Sequence, residues 1–241
     1  MGLLLLAAAG LAAGANAWKR DLRITRVSIQ GNRIVKHAEI LSLAGIPSNE
    51  KLFGVDLFAV RRRVENNPFI RSASVNREAP DGISITVEER RPIAVLVLDR
   101  MLSIDDQGYV LPPVRSDDVF DLPVLTGELP EAECRPGKTV TSSGVREALE
   151  ILSVARAAGE ETSHLLSEIH LAGEKDIVMY ATEAGVPVVF GHGNTAEKMV
   201  KLEAFWKQIV AQRGPGDLGS VDLRFADQVI ARWRNEPDAP Q

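Results

Sequence analysis

Two glycines between an apolar run and a run of helix formers are where a backbone can hold a phosphate, and Val188-Val189-Phe190-Gly191-His192-Gly193-Asn194-Thr195 has that order. The segment lacks the Gly-Lys-Ser/Thr ending of a P-loop and the third glycine of a dinucleotide fingerprint, so the spacing predicts a tight, capped turn instead. Asp105-Asp106-Gln107-Gly108 lacks the alternating oxygen ligands and distant bidentate Glu of a calcium loop and reads as a hairpin turn. His37, His164, His170 and His192 fall in separate elements with no i, i+4 pair, which argues against zinc. No Gly-x-Ser-x-Gly elbow occurs. Cys134, the only cysteine, rules out an intrachain disulfide and a cysteine-based metal cluster, and its acidic neighbours disfavour a thiolate. The residues therefore give no catalytic, cofactor-binding or metal site, and the expectation is a chain that is not an enzyme. Arg61-Arg62-Arg63 is the densest basic cluster, but successive helical residues spread around the axis, so solvated exposure is expected, with anionic lipid headgroups as the sharper alternative.

Binding chemistry is better represented at the carboxyl end. Val221, Leu223 and Phe225 share one face of a strand, and after Ala226-Asp227-Gln228 the run Val229-Ile230-Ala231-Arg232-Trp233 is apolar on both faces. A strand near a chain end is well placed to lie at a sheet edge, where unpaired amides and carbonyls accept another chain's strand. Ile230 and Trp233 would then be anchors. The pattern equally allows them to pack beneath the preceding helix.

The elements that must position these residues can be read from changes of period. Val27 and Ile29 alternate with polar residues up to Gly31-Asn32, a strand and its turn. Ile40, Leu41 and Ala44 mark one side of a short helix ended by Gly45 and Pro47. Asp56 caps a second helix whose buried stripe is Leu57, Val60 and Val64, stopped at Asn66-Asn67-Pro68. Ile70, Ala73 and Val75, then Ile83, Ile85 and Val87, form two strands around Ala79-Pro80-Asp81-Gly82. The order is β-α-α-β-β.

Beyond Pro92 the pattern is an antiparallel meander over Ile93 to Leu98 and Met101 to Ile104, then a loop-rich stretch from Val114 to Gly137 broken by a strand near Val124. A helix spans Ser143 to Ala158 with Val145, Leu149 and Leu152 inward. Strands recur at Ile169 to Leu171, Ile177 to Ala181 and Val186 to Phe190. Asn194 with Glu197 suggests a capping pair for a helix that buries Met199, Leu202, Trp206 and Ile209 and closes at Arg213-Gly214-Pro215-Gly216. Two strands finish the chain. Helices interspersed among antiparallel strands predict an α+β layer, a mostly antiparallel sheet covered by helices on one face. With 241 residues, 25% charged and a net charge of -5, two modest domains are expected and nothing overall favours nucleic acid.

The words Val27-Ser28-Ile29-Gln30-Gly31-Asn32, Asn67-Pro68-Phe69-Ile70 and Ile83 to Val87 followed by Glu88-Glu89-Arg90-Arg91-Pro92 resemble a POTRA domain of the FtsQ/DivIB family of bacterial cell-division proteins. Ile104-Asp105-Asp106-Gln107-Gly108-Tyr109-Val110, Leu122-Pro123-Val124-Leu125-Thr126-Gly127 and Val221-Asp222-Leu223-Arg224-Phe225 continue the likeness in order. The resemblance implies a POTRA domain over 23–92, a partner-binding α+β domain over 93–234 and a disordered tail over 235–241. It implies FtsB and FtsL as partners, help in controlling septal wall synthesis and no cofactor, and Arg224, Phe225 and Trp233 match its pattern for partner capture; with the strand pattern, the expected partner-binding set is Leu223, Arg224, Phe225, Val229, Ile230 and Trp233. Phe225 stands where Tyr is common in the family, and Gln228 where the turn often has Gly. A POTRA-bearing component of outer-membrane insertion or secretion is the alternative, which should carry a β-barrel or several POTRA copies.

Residues 1–20 bear on location. Leu3 to Ala17 is apolar and ends in Trp18-Lys19-Arg20, as at a membrane interface. A helix of roughly 15 residues rises only about 22 Å, against a hydrocarbon core of about 30 Å. Ala15-Asn16-Ala17 has the form of a signal-peptide cleavage site, but a basic region before Leu3 is missing. The family's single span favours the other reading, an anchor whose upstream part is absent, in the inner membrane with the bulk of the chain outside the cytoplasm. Lys19 and Arg20 run against the positive-inside tendency in that orientation.

Overall fold

The computed structural model describes residues 22–113, 121–173 and 176–234. The expected membrane segment at 1–20 and the tail at 235–241 lie outside them. The chain divides into two compact units at Arg90/Arg91.

The first unit has β1 (Arg26–Gln30), α1 (His37–Ala44), α2 (Leu57–Glu65), β2 (Ile70–Glu78) and β3 (Gly82–Glu89). The sheet order is β1-β3-β2, with β1 parallel and β2 antiparallel to β3. Ile40, Ala44, Val60 and Val64 from the helices close over Ile70, Ala73, Ile83, Ile85 and Val87. Ile70 and Ala73 share the inner face although three positions apart, because a bulge between Ile70 and Ser72 shifts the alternation by one. Leu41 departs from the expected helical stripe: it is 42% exposed, at the outer margin of a stripe whose buried residues are Ile40 and Ala44. Asp56 accepts from the amides of Phe58 and Ala59 at 3.0 and 3.1 Å, and Gly45 ends α1 in the left-handed region.

Two words far apart in sequence meet here. The Glu89 carboxylate accepts from the amides of Arg33, Ile34 and Val35 at 2.8–2.9 Å, tying the turn after β1 to the end of β3. Gly31, at φ 88°, lies against the Val87 carbonyl so closely that a Cβ would overlap it. The Arg61-Arg62-Arg63 cluster is dispersed: Arg61 pairs with Glu65, Arg62 sits over the Phe58 ring, and Arg63 donates to the Ala44 carbonyl at the end of α1.

The second unit has β4 (Pro92–Val97), β5 (Met101–Asp105), β6 (Val110–Leu111), β7 (Val124–Gly127), α3 (Ser143–Ala158), α4 (Glu160–Ser163), β8 (Leu166–Leu171), β9 (Ile177–Ala181), β10 (Pro187–Gly191) and α5 (Thr195–Phe205). A π-helical turn (Trp206–Val210) and α6 (Ala211–Arg213) lead into β11 (Leu218–Asp222) and β12 (Ile230–Trp233). The sheet runs β12-β11-β10-β9-β8-β7-β4-β5-β6. Five of its eight pairings are antiparallel, and β4–β7, β7–β8 and β10–β11 are parallel. The parallel steps need crossovers, supplied by α3–α4 between β7 and β8 and by α5 to α6 between β10 and β11. Val145, Leu149, Leu152, Met199 and Leu202 bury against Leu96, Ile104, Leu125, Ile169, Met179 and Phe190.

Two expectations need correction. Asn194 stands at the N-cap of α5 but adopts φ 53° and makes no side-chain cap, so the Asn194–Glu197 pair does not close the helix. Ile209 is 40% exposed and Val210 is buried in its place, because the π-helical turn takes more residues per revolution and rotates the apolar stripe. Asp105 is buried and accepts from the amides of Gln107 and Tyr109, a hairpin turn held by its own carboxylate.

The sheet's two ends differ. Beyond β6, Val110 donates to the Lys138 carbonyl, Gly137 donates to the Val110 carbonyl and Tyr109 bridges Thr139, so residues 137–139 seal that side. Beyond β12 no strand pairs among the described residues.

Candidate partner-binding rim

The last described strand owes its place to β11. Leu218, Ser220, Val221 and Asp222 pair antiparallel with Trp233, Arg232, Ala231 and Ile230. Every second residue of β12 consequently turns its amide and carbonyl away from β11, toward the open side. Val229, Ala231 and Trp233 pack partly on the core, and the Arg213 guanidinium lies 4.2 Å from the Trp233 ring centroid. Trp233 thus contacts the helical layer through Arg213 while staying only partly buried; Ile230 is also only partly buried. Phe225, 44% exposed, precedes the strand in the connecting turn. Leu223 is 1% exposed and donates to the Val189 carbonyl at 2.9 Å. It faces the core and offers a partner no side-chain surface.

Arg224 ties the end of β11 to the entry of β9. Its Nε and Nη2 donate to Asp222 at 3.0 and 2.7 Å, its Nη1 donates to Asp176 at 3.1 Å, and its amide donates to Asp222 at 3.0 Å. The side-chain bond from Arg224 holds the Asp222 carboxyl below its ordinary range against the opposing effect of burial. Asp176 was not legible as a member of this group, because it precedes β9 and meets Arg224 only through the sheet.

The glycine turn at the end of β10 is filled by the chain itself. Glu147 of α3 accepts from the Gly193 amide at 2.5 Å and meets His192 Nδ1 at 2.7 Å, so a carboxylate occupies the place a phosphate would take. Lys198, 6% exposed, donates to the carbonyls of Phe190 and His192, both at 2.8 Å; burial pushes its pKa down. Sequence reasoning missed Lys198, since a lysine three residues into a helix reads as surface.

Thr126 lies closest to a nucleophile–base arrangement: its Oγ1 is 2.5 Å from Glu168 and 2.9 Å from His170 Nδ1. The hydroxyl donates its one hydrogen to Glu168, so that hydrogen is not directed at the ring. The Cys134 thiol is buried at 1% exposure, and burial with Glu133 and Glu131 raises its pKa away from the thiolate. Among the described residues no group of three His, Cys, Asp or Glu could hold a metal ion.

Comparison with known proteins places the chain in a family. A family model described as POTRA domain, FtsQ-type, matches residues 22–90, and one described as Cell division protein FtsQ/DivIB, C-terminal, matches residues 96–224. The chain belongs to the FtsQ/DivIB family. It is 32% identical to Cell division protein FtsQ of Syntrophotalea carbinolica over 212 residues, covering 87% of this chain and 73% of that protein. The protein of the same name from Rhodothermus marinus is 32% identical over 228 residues, covering 91% and 81%. That from Anaeromyxobacter is 30% identical over 244 residues, covering 98% and 82%. A role in bacterial cell division follows, and so does the expected architecture of a POTRA domain followed by an α+β region. In FtsQ/DivIB terms, the C-terminal match ends at Arg224, so Phe225 and β12 lie just past it.

Proposed function

We propose that the chain is a non-catalytic scaffold of the division machinery that captures an FtsB-type partner, with FtsL, by accepting a strand at the outer rim of β12, and so helps control septal peptidoglycan synthesis. The observation that carries the reading is the contrast between the sheet's two ends among the described residues: residues 137–139 cover β6, whereas β12 ends the sheet with partly buried Ile230 and Trp233 along it and exposed Phe225 beside it. A rim that no strand among the described residues pairs, carrying apolar side chains, suits a strand that brings its own apolar face. Membrane attachment is part of the proposal: the apolar segment from Leu3 to Ala17 would hold the chain in the inner membrane by one span, with the bulk outside the cytoplasm. Among the described residues no helix is long and apolar enough to cross a membrane, and that segment lies outside them.

The test is capture of the partner by the full chain in detergent. Phe225→Asp should weaken binding at least about tenfold while the melting temperature holds, since a charge at an apolar contact is costly and the side chain is not core. Trp233→Asp should do the same, with circular dichroism checking its fold. Unchanged affinity in both would defeat the rim reading.

A further inference from the structure

We infer that Asp176 and Asp222 act through Arg224 as a positioning clamp, so that strand capture at β12 depends on a carboxylate 48 residues away from the arginine it holds. The inference rests on the rim reading above and deepens it.

The chain leaves β11 at Leu223, fixed by its amide bond to Val189 and by burial, and re-enters the sheet at Ile230. Residues 224–228 between them are exposed. Among the described residues no backbone hydrogen bond holds Phe225 to Gln228, so the Arg224 side chain is what ties the turn down. Its Nε and Nη2 edge lies side-on to Asp222, and its Nη1 reaches Asp176 at the entry to β9. A planar fork bonded on two edges has one orientation, which a flexible ammonium cannot reproduce.

A second observation is independent of these bonds. Gly191 adopts φ 67°, and a Cβ there would lie 2.8 Å from Arg224 Cγ. The missing side chain is thus the slot that receives the arginine's stem. Lys198 grips the carbonyls on either side of Gly191, so the floor of that slot is fixed from the helix layer. The arrangement sets the path of Phe225 and the first residues of β12 before any partner arrives, and ordering done in advance does not have to be done on binding.

Two measurements on the full chain test this. In the free protein, hydrogen exchange over residues 225–231 should quicken in Asp176→Ala and in Arg224→Lys while exchange in β8 and β9 stays at the wild-type rate. In partner binding, each variant should weaken capture about tenfold, the double variant should be no worse than either single one, and Asp176→Asn, which keeps an acceptor for Nη1, should retain most of the affinity. Arg224→Lys separates the clamp from a charge that meets the partner, because lysine keeps the charge and loses the fork. Wild-type affinity in Arg224→Lys, or unchanged or tighter binding in Asp176→Ala, would overturn the clamp. Unaltered exchange in the free chain would overturn it too, and that arm is independent of whether the rim binds anything.

Discussion

At the scale of single residues, Asp222 is the group whose ionisation reports on the rim. Its folded pKa lies below the ordinary value of 3.8, so the unfolded chain takes up this proton first as acid is added. The stability Asp222 contributes is therefore complete above about pH 4 and lost as pH falls through the depressed folded value. The melting temperature of Asp222→Asn should accordingly lie below wild type at pH 7, and the gap should narrow below pH 4. A gap that stays constant down to pH 2 would show that the carboxylate's charge plays no part. Arg224 and Phe225 could be read from the sequence as part of one word, but Asp176 and Lys198 could not. Their roles come from contacts across strand ends and from a helix seated over the end of β10, which no local pattern encodes.

At the scale of elements, local chemistry was legible wherever it was satisfied locally. Asp56 caps α2, Gly45 ends α1, and Asp105 closes its own turn, each within a few residues of the signal. The miss at Ile209 has the opposite origin: the π-helical turn at Trp206–Val210 changes the residues per revolution, so a 3.6-residue pattern extended through it selects the wrong face. The parallel pairings β4–β7–β8 were also out of reach, because they join segments separated by whole helices or hairpins. The first unit offers a sharp test of element packing. Gly31→Ala puts a methyl into the Val87 carbonyl at a φ that disfavours side chains, and should cost about 3 kcal/mol of that unit's stability in urea unfolding. A loss under about 0.5 kcal/mol would mean that the turn relaxes without strain.

At the scale of the molecule, two separate buried clusters account for the core, one from Ile24 to Val87 and one from Ile93 to Leu223. Each is assembled from its own unit, which predicts that residues 22–90 expressed alone fold with a cooperative thermal transition and dispersed amide resonances. A molten or unfolded fragment would refute that self-sufficiency. The order of the POTRA elements was legible because each is short and signalled by its own period, whereas the nine-strand order of the second unit is set by long-range pairing. The sheet's sealed β6 side has a consequence for stoichiometry. A layer open on both flanks could pass strands from copy to copy and grow into a filament; among the described residues β6 is covered by 137–139 and β12 has no outer neighbour, so under the proposed rim reading the expected stoichiometry is one guest strand per chain.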